Sequence, residues 1–169
     1  GYGHTLRHAV GGLLAAMPES LAIFAPNANS YRRIRPGCFA PIAPNWGVNH
    51  RHVAVRIPMS DDRNLRIEHR VAGADCNPYL AMAAILSGVH AGLTQQIKPP
   101  RMIAEGEVMK EAISLSPRWE TALDAFDAGR LLPGYLGAEF CRVFSLARRH
   151  EAEAFHAQGD VSHRAGDAD

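Results

Sequence analysis

The chain predicts an α+β fold, mostly helices with a small antiparallel sheet. Three observations on its 169 residues carry this. Apolar residues recur at helical spacing near both ends. Residues 65–71 alternate strictly, with Arg66, Glu68 and Arg70 on one side and Leu65, Ile67, His69 and Val71 on the other. The stretches between are punctuated by Pro, Asn and Gly.

Residues 4–17 carry Leu6, Val10, Leu13 and Leu14 on one face of a first helix. Pro18 then starts a second short helical turn that reaches Phe24. Residues 27–44, rich in Pro, Asn and Gly, form an ordered loop. Residues 53–57 and 65–71 are two strands, and Asp61-Asp62-Arg63-Asn64 supplies an antiparallel connection. Asn77 caps a helix whose first position is Pro78. That helix is apolar on nearly every side as far as Leu93, which predicts burial, and Lys98-Pro99-Pro100 breaks it. A further helix covers residues 117–128 and stops at Gly129. A long amphipathic helix runs over residues 136–156. Residues 158–169 are small and polar, the composition of a tail without fixed structure, which leaves 1–157 as the domain.

The length suits one domain with its own core. Eighteen Lys and Arg against 17 Asp and Glu leave a net charge of +1, so nothing global points to nucleic acid or a membrane. The longest apolar run, residues 79–86, is far too short to span a bilayer. Cys38, Cys76 and Cys141 have no metal-ligand spacing and fit reduced thiols in a cytoplasmic protein. His50, His52 and His69 form no zinc motif. Arg148-Arg149-His150 is expected as a solvated helix end, and Cys141 as a buried, inert thiol. Met82, Met102 and Met109 fill core or loops. Trp46 either packs or lines a nucleotide site.

The most informative stretch is 29–79. It holds Asn29-Ser30-Tyr31-Arg32-Arg33, Asn45-Trp46-Gly47, Asn49-His50-Arg51, Arg56-Ile57-Pro58, Arg66-Ile67-Glu68-His69-Arg70 and Asn77-Pro78-Tyr79. Arginines this dense among turn residues suit a strongly anionic partner, because guanidinium forks pair with phosphate and carboxylate oxygens. The ladder around Glu68 fits two readings. It is either the wet face of a half-buried strand or a charged site in which Glu68 ligates a hard cation. Arg51 and Arg56, five apart, would face opposite ways in one regular strand, so a shared site requires Arg51 to precede the strand or a bulge to intervene.

These motifs, in this order and spacing, resemble the catalytic domain of glutamine synthetases. The resemblance covers nearly the whole chain and points to the later part of that domain. The wording Arg-Ile-Glu-His-Arg-Val-Ala-Gly-Ala-Asp followed by Asn-Pro-Tyr-Leu is similar to the glutamate–amine ligase branch, which includes gamma-glutamylpolyamine synthetases. The resemblance implies an ATP-dependent ligase that works through a gamma-glutamyl phosphate, with Mg2+ or Mn2+ as metal. It implies that Arg51 stabilises the transferring phosphoryl group. Arg33 and Arg70 would hold glutamate or the intermediate, Arg56 and Arg66 the nucleotide phosphates, and Glu68 a metal ion. It also implies glutamate and an amine or ammonia as substrates, and a homo-oligomeric ring in the complete protein.

The family's further metal-binding glutamates have no match here, so the chain is expected to be part of a catalytic domain and inactive alone. Ammonia-using members carry a glutamate on a flap shortly after the Pro-Gly that follows Asn-Ser-Tyr. That place falls on Phe39, which cannot take a proton but offers an apolar or cation–π face. The expected nucleophile is therefore a polyamine or other primary amine. The alternatives are ammonia, or a non-catalytic remnant.

Overall fold

The computed structural model describes residues 3–61, 63–107 and 114–166, with 158–166 in backbone alone. Met109, expected as a filler, lies outside them. The elements are α1 (His4–Phe24), a 3-10 turn (Ala28–Arg33), β1 (Trp46–Val48), β2 (Val55–Ile57), β3 (Glu68–His69), α2 (Pro78–Thr94), α3 (Trp119–Asp127), α4 (Leu132–Leu136) and α5 (Ala138–Gly166). The chain is mostly helical with a small sheet, as its periodicity predicts.

Where two helical pieces were expected at the start, α1 is continuous and carries Pro18 inside it. An internal proline removes one backbone hydrogen bond and costs about 3 kcal/mol. Val10, Leu13, Leu14, Met17, Leu21 and Phe24 are all buried along this helix. Each such side chain gains about 1.5–3 kcal/mol on burial, so packing outweighs the defect.

Helix α2 begins as predicted: Asn77 Oδ1 accepts from the backbone N–H of Tyr79 at 3.0 Å and of Leu80 at 3.3 Å. It is not buried all round. Its inner face is Ala81, Ala84, Ser87, Gly88, Ala91 and Gly92. This strip of small residues lies directly on α1, where a Cβ added to Gly12 would fall 2.5 Å from Gly92 Cα. The large side chains consequently point outward, with Tyr79 84 % and Leu86 57 % exposed.

At the other end, Phe126 of α3 packs on Phe144 of α5 with ring centroids 5.0 Å apart. Arg149 on α5 reaches back to α3, donating to Asp124 at 2.8 Å and Asp127 at 2.6 Å. The run Arg148-Arg149-His150 is thus mid-helix, with Arg148 paired to Glu151 at 2.8 Å, and is not a solvated end. The short helix α4 was not expected; Gly137, at φ 88°, separates it from α5. The backbone of α5 stays helical to Gly166, into the stretch whose composition suggested a tail.

The sheet is mixed, in the order β1-β2-β3. The antiparallel pair β2–β3 is as predicted, although both strands are shorter than expected. The turn-like run Asn45-Trp46-Gly47 leads instead into strand β1, which lies parallel to β2, with Trp46 opposite Val55 and Val48 opposite Ile57. Parallel neighbours ordinarily need a long crossover. Here residues 49–54 manage it as a tight excursion that starts at Asn49, at φ 53°. That excursion carries Asn49, His50, Arg51 and His52.

Candidate active site

The register of β2 and β3 sets Arg56 directly opposite Glu68. Arg56 Nη1 lies 3.4 Å from one Glu68 oxygen, and Arg70 Nε lies 3.3 Å from the other. Glu68 therefore bridges two guanidinium groups on the half-exposed face of the sheet. His69 points the opposite way, its ring 4.6 Å from that of Phe24. Burial pushes its imidazole down to about 4, so it is neutral in the neutral pH range. Around Glu68 and His69 the two faces fall as the alternation predicts, whereas Leu65 and Arg66, expected on opposite faces of the same strand, lie before β3 and are both exposed.

Arg70 reaches on to the excursion between β1 and β2. Its Nη1 donates to the carbonyl oxygens of Arg51 and, at 3.1 Å, Val53. Arg56 Nη2 donates to Asn49 Oδ1 at 3.0 Å, and Asn49 Nδ2 donates to Glu105 at 2.6 Å. A chain of contacts thus runs from Glu68 through both arginines to the backbone that presents Arg51. Arg51 lies before β2, which begins at Val55, so it and Arg56 need not obey one strand's alternation.

Arg33 stands apart from this chain of contacts. Its Nη2 donates to the Val71 carbonyl at 3.0 Å and the Phe24 carbonyl at 3.4 Å. Beside it, Asp75 accepts from Asn27 at 3.0 Å and from the Ser30 hydroxyl. Partial burial opposes ionisation of Asp75, but these hydrogen bonds and the Arg33 charge hold its carboxyl below the usual range. Arg66 precedes β3, is exposed, and donates to the Asn64 carbonyl at 3.3 Å. Of the predicted site residues, the structure joins Arg51, Arg56, Glu68 and Arg70, and leaves Arg33 and Arg66 at the flanks.

A groove of about 550 Å3 opens beside the excursion, lined among others by Arg35, Asn49, Arg51, His52, Glu105 and Glu107. Hydrogen bonds from Arg101 hold the Glu107 carboxyl down to about 2. Phe39 lies between Cys38 and Ala40, which both line the groove, and is 71 % exposed. Its ring stacks on His52 at 5.4 Å with 22° between planes. Trp46 takes no part: it is 2 % exposed and its indole donates to the Pro100 carbonyl at 2.9 Å, so it packs. Cys141 is buried, and that burial pushes its thiol up.

A divalent ion needs several oxygen ligands. Among the described residues no three His, Cys, Asp or Glu side chains gather to hold one. Glu68 is a single carboxylate already engaged by two arginines, so the residues present do not make a metal centre on their own. Nothing in the local sequence marks Asn49, Glu105 or His52 as site residues. The left-handed turn at Asn49 and the return of residues 103–107 beside β1, where the Ile103 N–H donates to the Trp46 carbonyl at 2.9 Å, bring them together. No local pattern encodes that return.

Comparison with known proteins agrees with this architecture. Residues 2–163 match the family model described as glutamine synthetase, catalytic domain. The chain is 41 % identical over 150 residues to the gamma-glutamylputrescine synthetase PuuA of Escherichia coli, covering 89 % of this chain and 32 % of that protein. It is 31 % identical over 157 residues to the gamma-glutamylethanolamide synthetase GlnA4 of Streptomyces coelicolor, covering 93 % and 34 %. The solved complex of GmaS with ADP superposes with a TM-score of 0.81 at 29 % identity, over 93 % of this chain and 38 % of that one. The chain thus spans about a third of the length of these relatives. With the family model matched along almost its whole length, the chain belongs to the glutamine synthetase family and represents part of its catalytic domain.

Proposed function

We propose that the complete protein is an ATP-dependent carbon–nitrogen ligase. It joins a polyamine or other primary amine to the side-chain carboxylate of glutamate through a gamma-glutamyl phosphate. The observation that carries the choice of amine is the stacked pair Phe39–His52 on the rim of the groove that Arg51 lines. An exposed aromatic face suits a carbon chain or a soft organic cation better than compact, strongly hydrated ammonium. Two relatives named for amine-derived products, putrescine and ethanolamide, support the same reading.

In this proposal Arg51 meets the transferring phosphoryl group, since it lines the groove and its backbone is fixed by Arg70. Arg56 and Arg66 meet nucleotide phosphates. Arg33 and Arg70 meet the glutamate carboxylates or the intermediate. Positioned guanidinium charges act on charge that develops in the transition state, which is where phosphoryl transfer gains most. Glu68 is the chain's own contribution toward Mg2+ or Mn2+, and further carboxylates must come from elsewhere. A homo-oligomeric ring is supported by the outward apolar residues of α2. Cytoplasmic location is supported by three unpaired cysteines. Among the described residues no helix is long and apolar enough to cross a membrane.

Steady-state kinetics on the complete protein test the proposal. The catalytic efficiency for at least one primary amine is expected to exceed that for ammonium. An efficiency for ammonium equal to or above that for every amine would end the assignment. Phe39→Glu is expected to shift the ratio toward ammonium by about tenfold, the scale of one exposed charge or cation–π contact. A second result concerns the 169-residue chain by itself. Purified and supplied with ATP, glutamate, an amine and Mg2+ or Mn2+, it is expected to release no phosphate, because one carboxylate does not hold the ion. Metal-dependent turnover by that chain would show that its own residues suffice.

A further inference from the structure

His50 and His52 are two residues apart and have opposite fates. His50 is 5 % exposed. Its Nδ1 accepts from the His52 backbone N–H at 3.2 Å, and its Nε2 reaches the Glu107 carbonyl at 3.0 Å. Those partners require a neutral ring with the proton on Nε2, and both nitrogens are spent. The His52 ring is exposed and lines the groove beside Arg51. Two ring contacts hold it, the stack on Phe39 and an edge contact with His50 at 5.9 Å. Among the described residues its nitrogens have no hydrogen-bond partner. An imidazole oriented through its faces, with its nitrogens unused, is poised for proton transfer.

The chemistry proposed for the groove needs such a group. A primary alkylamine is a cation near neutral pH and has no lone pair with which to attack. Phe39 cannot take its proton. The other titratable or charged groups lining the groove are Arg35, Cys38, His50, Arg51, Glu105 and Glu107. Arg35 Nε donates to Cys38 Sγ at 3.3 Å, Glu107 is paired with Arg101, and Glu105 accepts from Asn49. The two arginines are not bases, and a carboxylate is a weaker base than imidazole, the side chain suited to proton transfer near neutrality.

We propose that His52 is the general base that activates the amine, an inference that rests on the ligase reading above. A ring nitrogen of His52 takes one proton from the alkylammonium. The freed lone pair attacks the gamma-carbonyl carbon of glutamyl phosphate. A carbon–nitrogen bond forms, the carbon–oxygen bond to phosphate breaks, and phosphate leaves with that electron pair. The second nitrogen proton lost in forming the amide goes to the departing phosphate, and His52 returns its proton to solvent. Phe39 serves as the wall that keeps the imidazole turned toward the groove.

The test compares wild type with His52→Gln in the complete protein, using an alkylamine and hydroxylamine as nucleophiles. Hydroxylamine is uncharged at neutral pH and needs no base to expose its lone pair. At pH 7 His52→Gln is expected to lower kcat/KM for the alkylamine by about a hundredfold, the lower end for general base catalysis. The rate with hydroxylamine should stay within about threefold of wild type, well below that general-base effect. The alkylamine deficit should shrink as pH rises and the free amine becomes abundant. Equal losses with both nucleophiles, or no loss with either, would overturn the assignment of His52 while leaving the ligase intact. Absence of nucleophile-dependent ATP turnover in the wild type would instead end the ligase reading, and this inference with it.

Discussion

Glu68→Ala in the complete protein is expected to lower kcat by about a hundredfold or more while nucleotide affinity moves only a few-fold. Glu68 neutralises Arg56 across the β2–β3 pair and Arg70 just past the end of β3. Without it, two guanidinium groups face each other with no anion between them. Arg70 also fixes the carbonyl of Arg51, so its displacement reaches the residue proposed to meet the phosphoryl group. Phosphate oxygens would still find cations nearby, which is why ground-state binding suffers less than the transition state. Unfolding does not account for the loss: the Glu68 side chain is 40 % exposed, and pairs of that kind are worth about 0–1 kcal/mol. Glu68→Gln keeps the shape and removes the charge, so it should resemble alanine in kcat and wild type in melting temperature. More than a tenth of wild-type kcat in Glu68→Ala would take Glu68 out of the site.

The parts of this site that were legible in sequence are those with a short-range code. Alternation over residues 65–71 placed Glu68 with Arg70 and His69 opposite them, because a strand's side-chain period of two is local. The cap at Asn77 was legible for the same reason, since its acceptor and the N–H groups it serves are two and three residues apart. Strand β1 was not. Asn45-Trp46-Gly47 has turn chemistry, and only pairing with β2 and with Ile103 makes it extended. Pro18 misled because its cost is local and the packing that overrides it is not. The all-round apolar character of α2 misled for another reason: hydropathy does not say which face a neighbour can approach. The groove lay beyond sequence reasoning because the contact Asn49–Glu105 joins segments far apart in the chain and the pair Phe39–His52 spans a loop with no periodic pattern.

The approach of α1 to α2 leads to the largest expected effect on stability. Gly12→Ala is expected to destabilise the protein by about 2 kcal/mol and lower its melting temperature by roughly 4–8 °C. Alanine in place of a mid-helix glycine gains about 1 kcal/mol of helix propensity. At this position the new Cβ would lie 2.5 Å from Gly92 Cα and nearer still to the Gly88 carbonyl oxygen. Both obstacles are backbone, which cannot rotate away as a side chain can, so α2 must move and the steric term wins. The disturbance would not stay between the helices. At the far end of α1, the Phe24 ring packs on His69 and the Phe24 carbonyl accepts from Arg33 and, at 3.0 Å, from the Gly73 N–H. A shifted α1 therefore reaches β3, and kcat should fall along with stability. Gly134→Ala is the control, since nothing lies within 4 Å of a Cβ there. It should be neutral or stabilising by about 0.5 kcal/mol, through the smaller entropy of the unfolded chain. Equal melting temperatures for the two variants in thermal unfolding would mean that α1 and α2 do not meet through these glycines.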